Sequence, residues 1–232
     1  MQRRDFVKVC AASAAAACSG VAFADNPSSR PYNRVKLVDK DGSPVRLKSL
    51  KTNHNYVFNY PFESTPCFLL NLDKPMPAAV DLKTEAGNRY QWPGGAGPQK
   101  TLVAYSAICA HKMAYPAKQV SFISFRTQPG KASKQGKVIS CCADSSVYDP
   151  YSGAKVISGP APQPLAAILL EHDPKTDEIY ATGTFGGEKF NEFFQKYEFK
   201  LSMEMGDKAR EKVKGTARLA ELAEFSTQTA QC

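Results

Sequence analysis

From residue 35 onward the chain runs as short apolar stretches broken by turn residues. Such stretches lie at 35–38, 56–60, 67–72, 102–105, 120–125, 137–139, 166–171 and 178–183, and they are rich in Val, Ile, Tyr and Phe. Runs this short, with β-branched and aromatic side chains and turn signals between them, predict strands. The segment 39–44, with Gly42 and Pro44, is one such turn. Residues 84–100 carry Gly87, Pro93, Gly94, Gly95, Gly97 and Pro98 and read as a long irregular loop. Residues 25–34 are polar, contain two prolines and read as a linker. The expectation is an all-β, antiparallel domain over 35–187.

After Gly187 the period changes. Phe190, Phe193, Phe194 and Tyr197 fall at helical spacing, as do Ala217, Leu219, Ala220, Leu222 and Ala223. Two amphipathic helices are therefore expected within 188–232, separated near Met205, Gly206 and Asp207. Their apolar faces are expected to pack on the β-domain or to dock onto a partner subunit.

The chain has 232 residues, enough for one well-cored domain with appendages or for two small domains. A hydrophobic fraction of 43% and a charged fraction of 22% are those of a globular protein. The net charge is +8, but the lysines are scattered and no nucleic-acid motif accompanies them. A basic surface that attracts an acidic protein or a membrane surface is the better reading.

The first residues change the picture more. Arg3 and Arg4 precede Phe6, Val7 and Lys8, followed by an Ala-rich stretch from Val9 to Phe23. Ala22-Phe23-Ala24 is a small-x-small cleavage site, so residues 1–24 read as a twin-arginine signal and Asp25 as the mature start. The apolar stretch is short for a membrane span, which needs about 20 residues. A retained anchor is the weaker alternative, and so is lipidation at Cys18, which lacks a leucine three residues before it. The expected location is the periplasm, as a mature chain without a membrane span. The twin-arginine route carries folded proteins, often with a cofactor already inserted.

Of seven cysteines, Cys10 and Cys18 fall in the signal, leaving Cys67, Cys109, Cys141, Cys142 and Cys232. An odd number in an oxidising compartment argues against a simple disulfide framework. Cys67 stands in an apolar run and reads as a core thiol. Cys232 reads as a mobile end, and His54 and His172 as residues of polar turns. Cys109 and His111 form a Cys-x-His segment, and Cys141 and Asp144 form a Cys-x-x-Asp segment. Ser146, Tyr148 and Asp149 follow, then Gly153, then Gly159, Pro160, Ala161 and Pro162, then Leu165.

These two segments and their sequel resemble the Rieske iron–sulfur family, in which a Cys-x-His loop faces a Cys-x-x-His loop around a [2Fe–2S] cluster. Upstream, 58–61, 65–70, Gly97, Pro98 and 103–106 are similar to the small subunit of arsenite oxidase. The proline loop, 159–162, is closer to the cytochrome bc type. The resemblance covers 35–187 and implies an antiparallel β-sandwich of stacked sheets with a C-terminal helical extension. It implies Cys109, His111 and Cys141 as ligands, with Asp144 at the place of the second histidine. It further implies that Ser146 and Tyr148 donate hydrogen bonds to the cluster and that Gly159 and Pro160 belong to a covering loop. The implied function is one-electron transfer, reached through His111. Implied partners are a molybdenum oxidoreductase, a quinol-oxidising complex or a c-type cytochrome.

The chain departs from the family pattern at the second histidine. High-potential members also bridge the two loops by a disulfide, and the matching positions here are Ala114 and Ala143. The site is thus expected to lack a disulfide clamp. Cys142 stands where the family usually has proline, and two adjacent cysteines are hard to aim at one cluster. Three readings remain open: Asp144 ligates iron; water or Cys142 completes the shell; or the domain is a cluster-free structural or interaction subunit. A mononuclear zinc or iron site is a variant of the last. No catalytic triad or phosphate loop is present, so substrate chemistry is not expected of this chain alone.

Overall fold

The structure is a computed structural model that describes residues 29–232. The predicted signal, its cleavage site and residues 25–28 lie outside the described residues. Thirteen strands come first, in this order. They are β1 (Ser29–Val38), β2 (Tyr56–Asn59), β3 (Pro66–Asn71), β4 (Val80–Lys83), β5 (Arg89–Trp92) and β6 (Leu102–Ser106). Next are β7 (Val120–Ser121), β8 (Ile123–Arg126), β9 (Val138–Cys141) and β10 (Ser146–Asp149). Then follow β11 (Lys155–Ser158), β12 (Ala167–His172) and β13 (Ile179–Phe185). Beyond them lie α1 (Phe190–Met205), β14 (Thr216–Arg218), β15 (Ala220–Glu221), the one-turn α2 (Leu222–Phe225) and β16 (Gln228–Thr229).

The main sheet has eight strands in the order β14-β1-β13-β12-β6-β3-β2-β15. Its two outermost members, β14 and β15, are successive pieces of one segment joined through Leu219. β14 pairs with β1 and β15 with β2, so residues 216–221 bring the first and last long strands together and curl the sheet on itself. A second sheet, β11-β10-β9-β8, carries the turn between Cys141 and Ser146. β4 and β5 form a separate hairpin, and β16 lies parallel to β7.

Alternation along the strands divides the apolar side chains between two cores. Cys67 and Leu69 of β3, Phe58 of β2, and Leu102 and Ala104 of β6 meet Val35, Leu37, Ile179 and Ala181 on one face. Phe68, Leu70, Val57, Val103 and Tyr105 point the other way, to a core shared with Ile123, Ile139, Cys141 and Tyr148 of the second sheet. A sheet covered on both faces needs no polar alternation, which explains why 67–70 is apolar without interruption. Burying both faces excludes water from the gap between the sheets, and Cys109 and Cys141 lie in that gap.

The all-β expectation holds, and three details of it change. Residues 29–34, read as linker, form the first part of β1 and pair with β13 through Ser29, Arg30 and Pro31. The Gly/Pro-rich stretch 84–100 contains β5, whose partner β4 precedes it. The first C-terminal helix forms, and the second is reduced to the single turn of α2. Residues 216–221 are strands because two sheet borders supply their backbone partners, as when the Leu219 N–H donates to the Val38 carbonyl at 2.7 Å. Ala217 and Leu219 point inward while Thr216 and Arg218 are exposed, a strand period hidden inside a helical one. No helix of the described residues is long and apolar enough to cross a membrane.

Helix α1 follows its sequence pattern. Phe190, Phe193, Phe194 and Leu201 are buried and join Ile108 and Met113 in a third apolar cluster. Tyr115 meets Phe193 edge-on with ring centroids 5.0 Å apart, and Lys196 Nζ donates to the Lys112 carbonyl at 2.5 Å. The helix therefore lies against the loop that contains Cys109 and His111.

Candidate metal centre

Two loops present the chemistry. The first follows β6 and closes on itself: the Cys109 N–H donates to the Ala114 carbonyl at 2.8 Å, and the Met113 N–H to the Cys109 carbonyl at 3.0 Å. The second joins β9 to β10, where Cys141 and Ser146 are register partners. The four residues between them form a tight turn in which the Ser145 N–H donates to the Cys141 carbonyl at 2.8 Å. Ser145 has φ +62, a left-handed conformation that such a turn requires.

Asp144 has two jobs within this turn. Its Oδ1 accepts the Ser146 N–H at 2.9 Å, the local bond that favours Asp in turns. Its Oδ2 faces the first loop, 3.3 Å from Cys109 Sγ and 2.9 Å from His111 Nδ1. The Asp144 side chain is 2% exposed and that of His111 36%. The ligating atoms of Cys109, Cys141 and Asp144 all lie within 4.8 Å of one another. Three of the four predicted ligands thus converge; His111 stands at the rim and touches the group through the carboxylate.

The surroundings favour negative charge on one sulfur. The Cys141 thiol donates to Cys109, and Tyr148 with the backbone N–H groups of His111 and Lys112 adds to this. Together they outweigh burial and bring Cys109 down to about 7. Cys141 is pushed up by its bond to Cys109, by burial, and by the charges of Cys109 and Asp144. For Asp144, burial is the largest influence and raises its pKa. The Ser146 N–H, both thiols and His111 outweigh it, leaving the carboxyl below its usual value. Burial, followed by the Cys109 charge, raises Tyr148.

Tyr148 is fully buried, with its Oη 3.4 Å from Cys109 Sγ and accepting the Ala110 N–H at 3.2 Å. Ser146 Oγ accepts the Ala161 N–H at 3.1 Å, which ties the proline loop to the second loop. A hydroxyl that accepts keeps its own hydrogen for another acceptor. Gly159 approaches the same turn through its backbone. A Cβ there would stand 2.5 Å from the Ser145 carbonyl oxygen and from Ser146 Cα. Pro160 follows it in the same loop.

The thiols expected to be idle are not all so. Cys67 is a buried core thiol 2.9 Å from the Tyr60 carbonyl, as expected. Cys142 and Cys232, however, form a disulfide with Cα atoms 5.5 Å apart. Cys232 is therefore not a mobile end, and the second loop does carry a clamp, though not between the two loops. Residues 142 and 232 are 90 apart in sequence, and spacing alone cannot reveal such a pairing. His54 and His172 pair with Glu221 at 3.0 Å and Asp177 at 2.8 Å, away from the thiols.

No protein-family model matches the chain. It is 31% identical over 141 residues, 61% of its length, to the iodate reductase subunit IdrB of Denitromonas iodatirespirans. The matched stretch spans 60% of that relative's length. It is 30% identical to the soluble domain of the Rieske protein II (soxF) from Sulfolobus acidocaldarius. That match covers 68% of this chain and 82% of the other, with a TM-score of 0.46. Set beside the facing Cys-x-His and Cys-x-x-Asp loops, the 31% identity to the iodate reductase subunit places the chain in one family: it is a Rieske-type protein.

Proposed function

We propose that this protein is an exported electron-transfer subunit whose iron–sulfur cluster would be held by Cys109, His111, Cys141 and Asp144. The observation that carries the reading is the Asp144 carboxylate. It is buried, its Oδ1 is used by its own turn, and its Oδ2 is turned toward the thiols and His111. Carboxylate oxygen suits ferric iron. Two thiols from separate loops, with Tyr148 and backbone N–H groups aimed at Cys109, suit thiolate-bound iron. The residues present therefore fit the group.

A bound [2Fe–2S] cluster supplies one-electron redox chemistry. The chain's own contribution is to bury the thiolates between two sheets, to orient Asp144 through the Ser146 N–H, and to leave His111 at the surface. Tyr148 disperses negative charge on Cys109 through its hydroxyl. A carboxylate in place of a neutral imidazole adds negative charge beside the metal, which favours the oxidised state. The partner is a larger oxidoreductase, as the name of the iodate reductase subunit suggests for that relative. A molybdenum enzyme, a quinol-oxidising complex and a c-type cytochrome are the candidate donors or acceptors. Export by the twin-arginine route rests on Arg3 and Arg4, and a disulfide at Cys142 suits an oxidising compartment.

A second reading has its own observation: three ligand atoms within 4.8 Å suit a single ion. One experiment separates the two. Protein purified from its host without oxygen is assayed for iron and acid-labile sulfide and examined by EPR after reduction. Equal iron and sulfide with an EPR signal support the cluster, and Asp144→His should then raise its potential. Metal without sulfide supports the single ion. A protein with neither is the cluster-free subunit.

A further inference from the structure

Residues 228–232 belong to neither the eight-stranded nor the four-stranded sheet, yet they run directly over the second thiol-bearing loop. Three independent sets of contacts hold them there. Gln228 and Thr229 pair in parallel with Val120 and Ser121, and the Ala230 N–H donates to the Ser121 carbonyl at 2.9 Å. Arg126 donates through Nη1 to Gln231 Oε1 at 3.0 Å and through Nη2 to the Ala230 carbonyl. Arg126 Nη2 also stands 3.1 Å from Cys142 Sγ. The third anchor is the Cys142–Cys232 disulfide itself. Beneath it the backbone comes close, for a Cβ at Gly130 would stand 2.5 Å from the Cys232 carbonyl oxygen.

The proline loop holds the far half of this turn, at Ser145 and Ser146, and the strap meets its near half at Cys142. Cys142 and Asp144 bracket the exposed Ala143, and from outside its own turn the backbone receives the Phe122 carbonyl, which accepts the Cys142 N–H at 2.6 Å. At the two positions where the resemblance to high-potential members implies a bridge between the loops, this chain has Ala114 and Ala143. Cys142 is covalently next to Cys141 and two residues from Asp144, so whatever fixes Cys142 fixes the approach of both inward-facing groups.

We propose that residues 228–232 are a strap. Through Cys232 and Arg126 they position the Cys141–Ser146 turn from outside, in place of a bridge between the loops. Cys142, Cys232 and Arg126 are positioning residues; they touch no inward-facing donor. The strap rests on the reading of Cys141 and Asp144 as the donors that need aiming. Its geometry does not depend on which metal they hold.

The test uses the full chain, purified without reductant and freed of metal by chelator. Peptide mapping without reduction should find Cys142 linked to Cys232. Amide exchange should then be compared between wild type, Cys232→Ser and Arg126→Gln. If the strap positions the turn, the Ser145 and Ser146 amides exchange at least about tenfold faster in Cys232→Ser, by local opening, than in wild type. Arg126→Gln should give a smaller change at the same amides. A disulfide that only adds global stability would instead speed the slowest amides of β3 and β6 and leave the turn as it was. That pattern, or the absence of the linked peptide, overturns the proposal. Iron and sulfide assays on the untreated protein judge the cluster separately, so a cluster-free protein with a slow, strap-dependent turn refutes one reading and keeps the other.

Discussion

Gly159→Ala would push the proline loop off the thiol-bearing turn, and its cost can be worked from the backbone. Gly159 has φ +88, a conformation that L residues adopt at a cost of about 1–2 kcal/mol. The added Cβ would also meet three backbone atoms: the Ser145 oxygen and Ser146 Cα at 2.5 Å, and the Ser146 nitrogen at 2.8 Å. None of these can rotate away, so β10 and the loop must part, an overpacking cost of about 1–3 kcal/mol. The total is about 2–5 kcal/mol. Gly42 provides the control, since it has φ +79 and nothing within 4 Å of its Cβ position. Gly42→Ala should therefore cost only the strain, about 1–2 kcal/mol. Urea unfolding followed by circular dichroism measures both variants. For a chain of this size each kcal/mol lowers Tm by about 2–4 °C, so the pair is also separable by heating. Equal costs for the two substitutions would refute the close approach of the proline loop to Ser145 and Ser146.

Two further outcomes are expected. Tyr148→Phe removes the acceptor of the buried Ala110 N–H and the hydroxyl beside Cys109 Sγ. It should cost about 1–3 kcal/mol in the same unfolding assay; an unchanged midpoint would mean that the N–H finds another partner. The pH test concerns Asp73, which accepts from Lys137 and, at 2.6 Å, from Tyr151 Oη. Lys137 first, then Tyr151, hold its carboxyl down at about 2. A depressed folded pKa stabilises above the unfolded value, near 3.9, and that stability is lost as pH falls through about 2. Wild type should lose more stability than Asp73→Asn between pH 5 and pH 2, roughly speaking; parallel curves would show that the contact is screened by solvent.

The sheet was legible because its evidence is local. Apolar runs such as 67–72 and 102–105 are too short for helices and too apolar for loops, and both are strands. The meeting of Cys109, Cys141 and Asp144 was expected from the resemblance of their two loops to a family, not from spacing alone, and the structure brings the three side chains together. The spacing did not reveal the shape of the contact at His111, which reaches the group through Asp144. Residues 216–221 were misread because alanine and leucine satisfy both periods. What decides between them is the pair of sheet borders at β1 and β2, far away in sequence. Cys232 was misread for the same kind of reason. Its partner is 90 residues away, and nothing near Cys232 marks it as paired. Short-range chemistry was readable, and long-range closure was not.

That closure has a consequence for handling the protein. A strand at the end of an open sheet offers a row of unpaired N–H and C=O groups to any neighbouring chain. Residues 216–221 cover two such rows at once, one on β1 and one on β2. A chain cut short before Thr216, or one that has not yet been made past it, would expose both rows together. Two such chains have what they need to add to each other edge to edge, and the product would be an aggregate, not a loosened monomer. Fragments ending at Gly187, the end of the β-pattern read from sequence, are thus the wrong pieces to express. The segment that looks like an appendage is what keeps this sheet from becoming sticky.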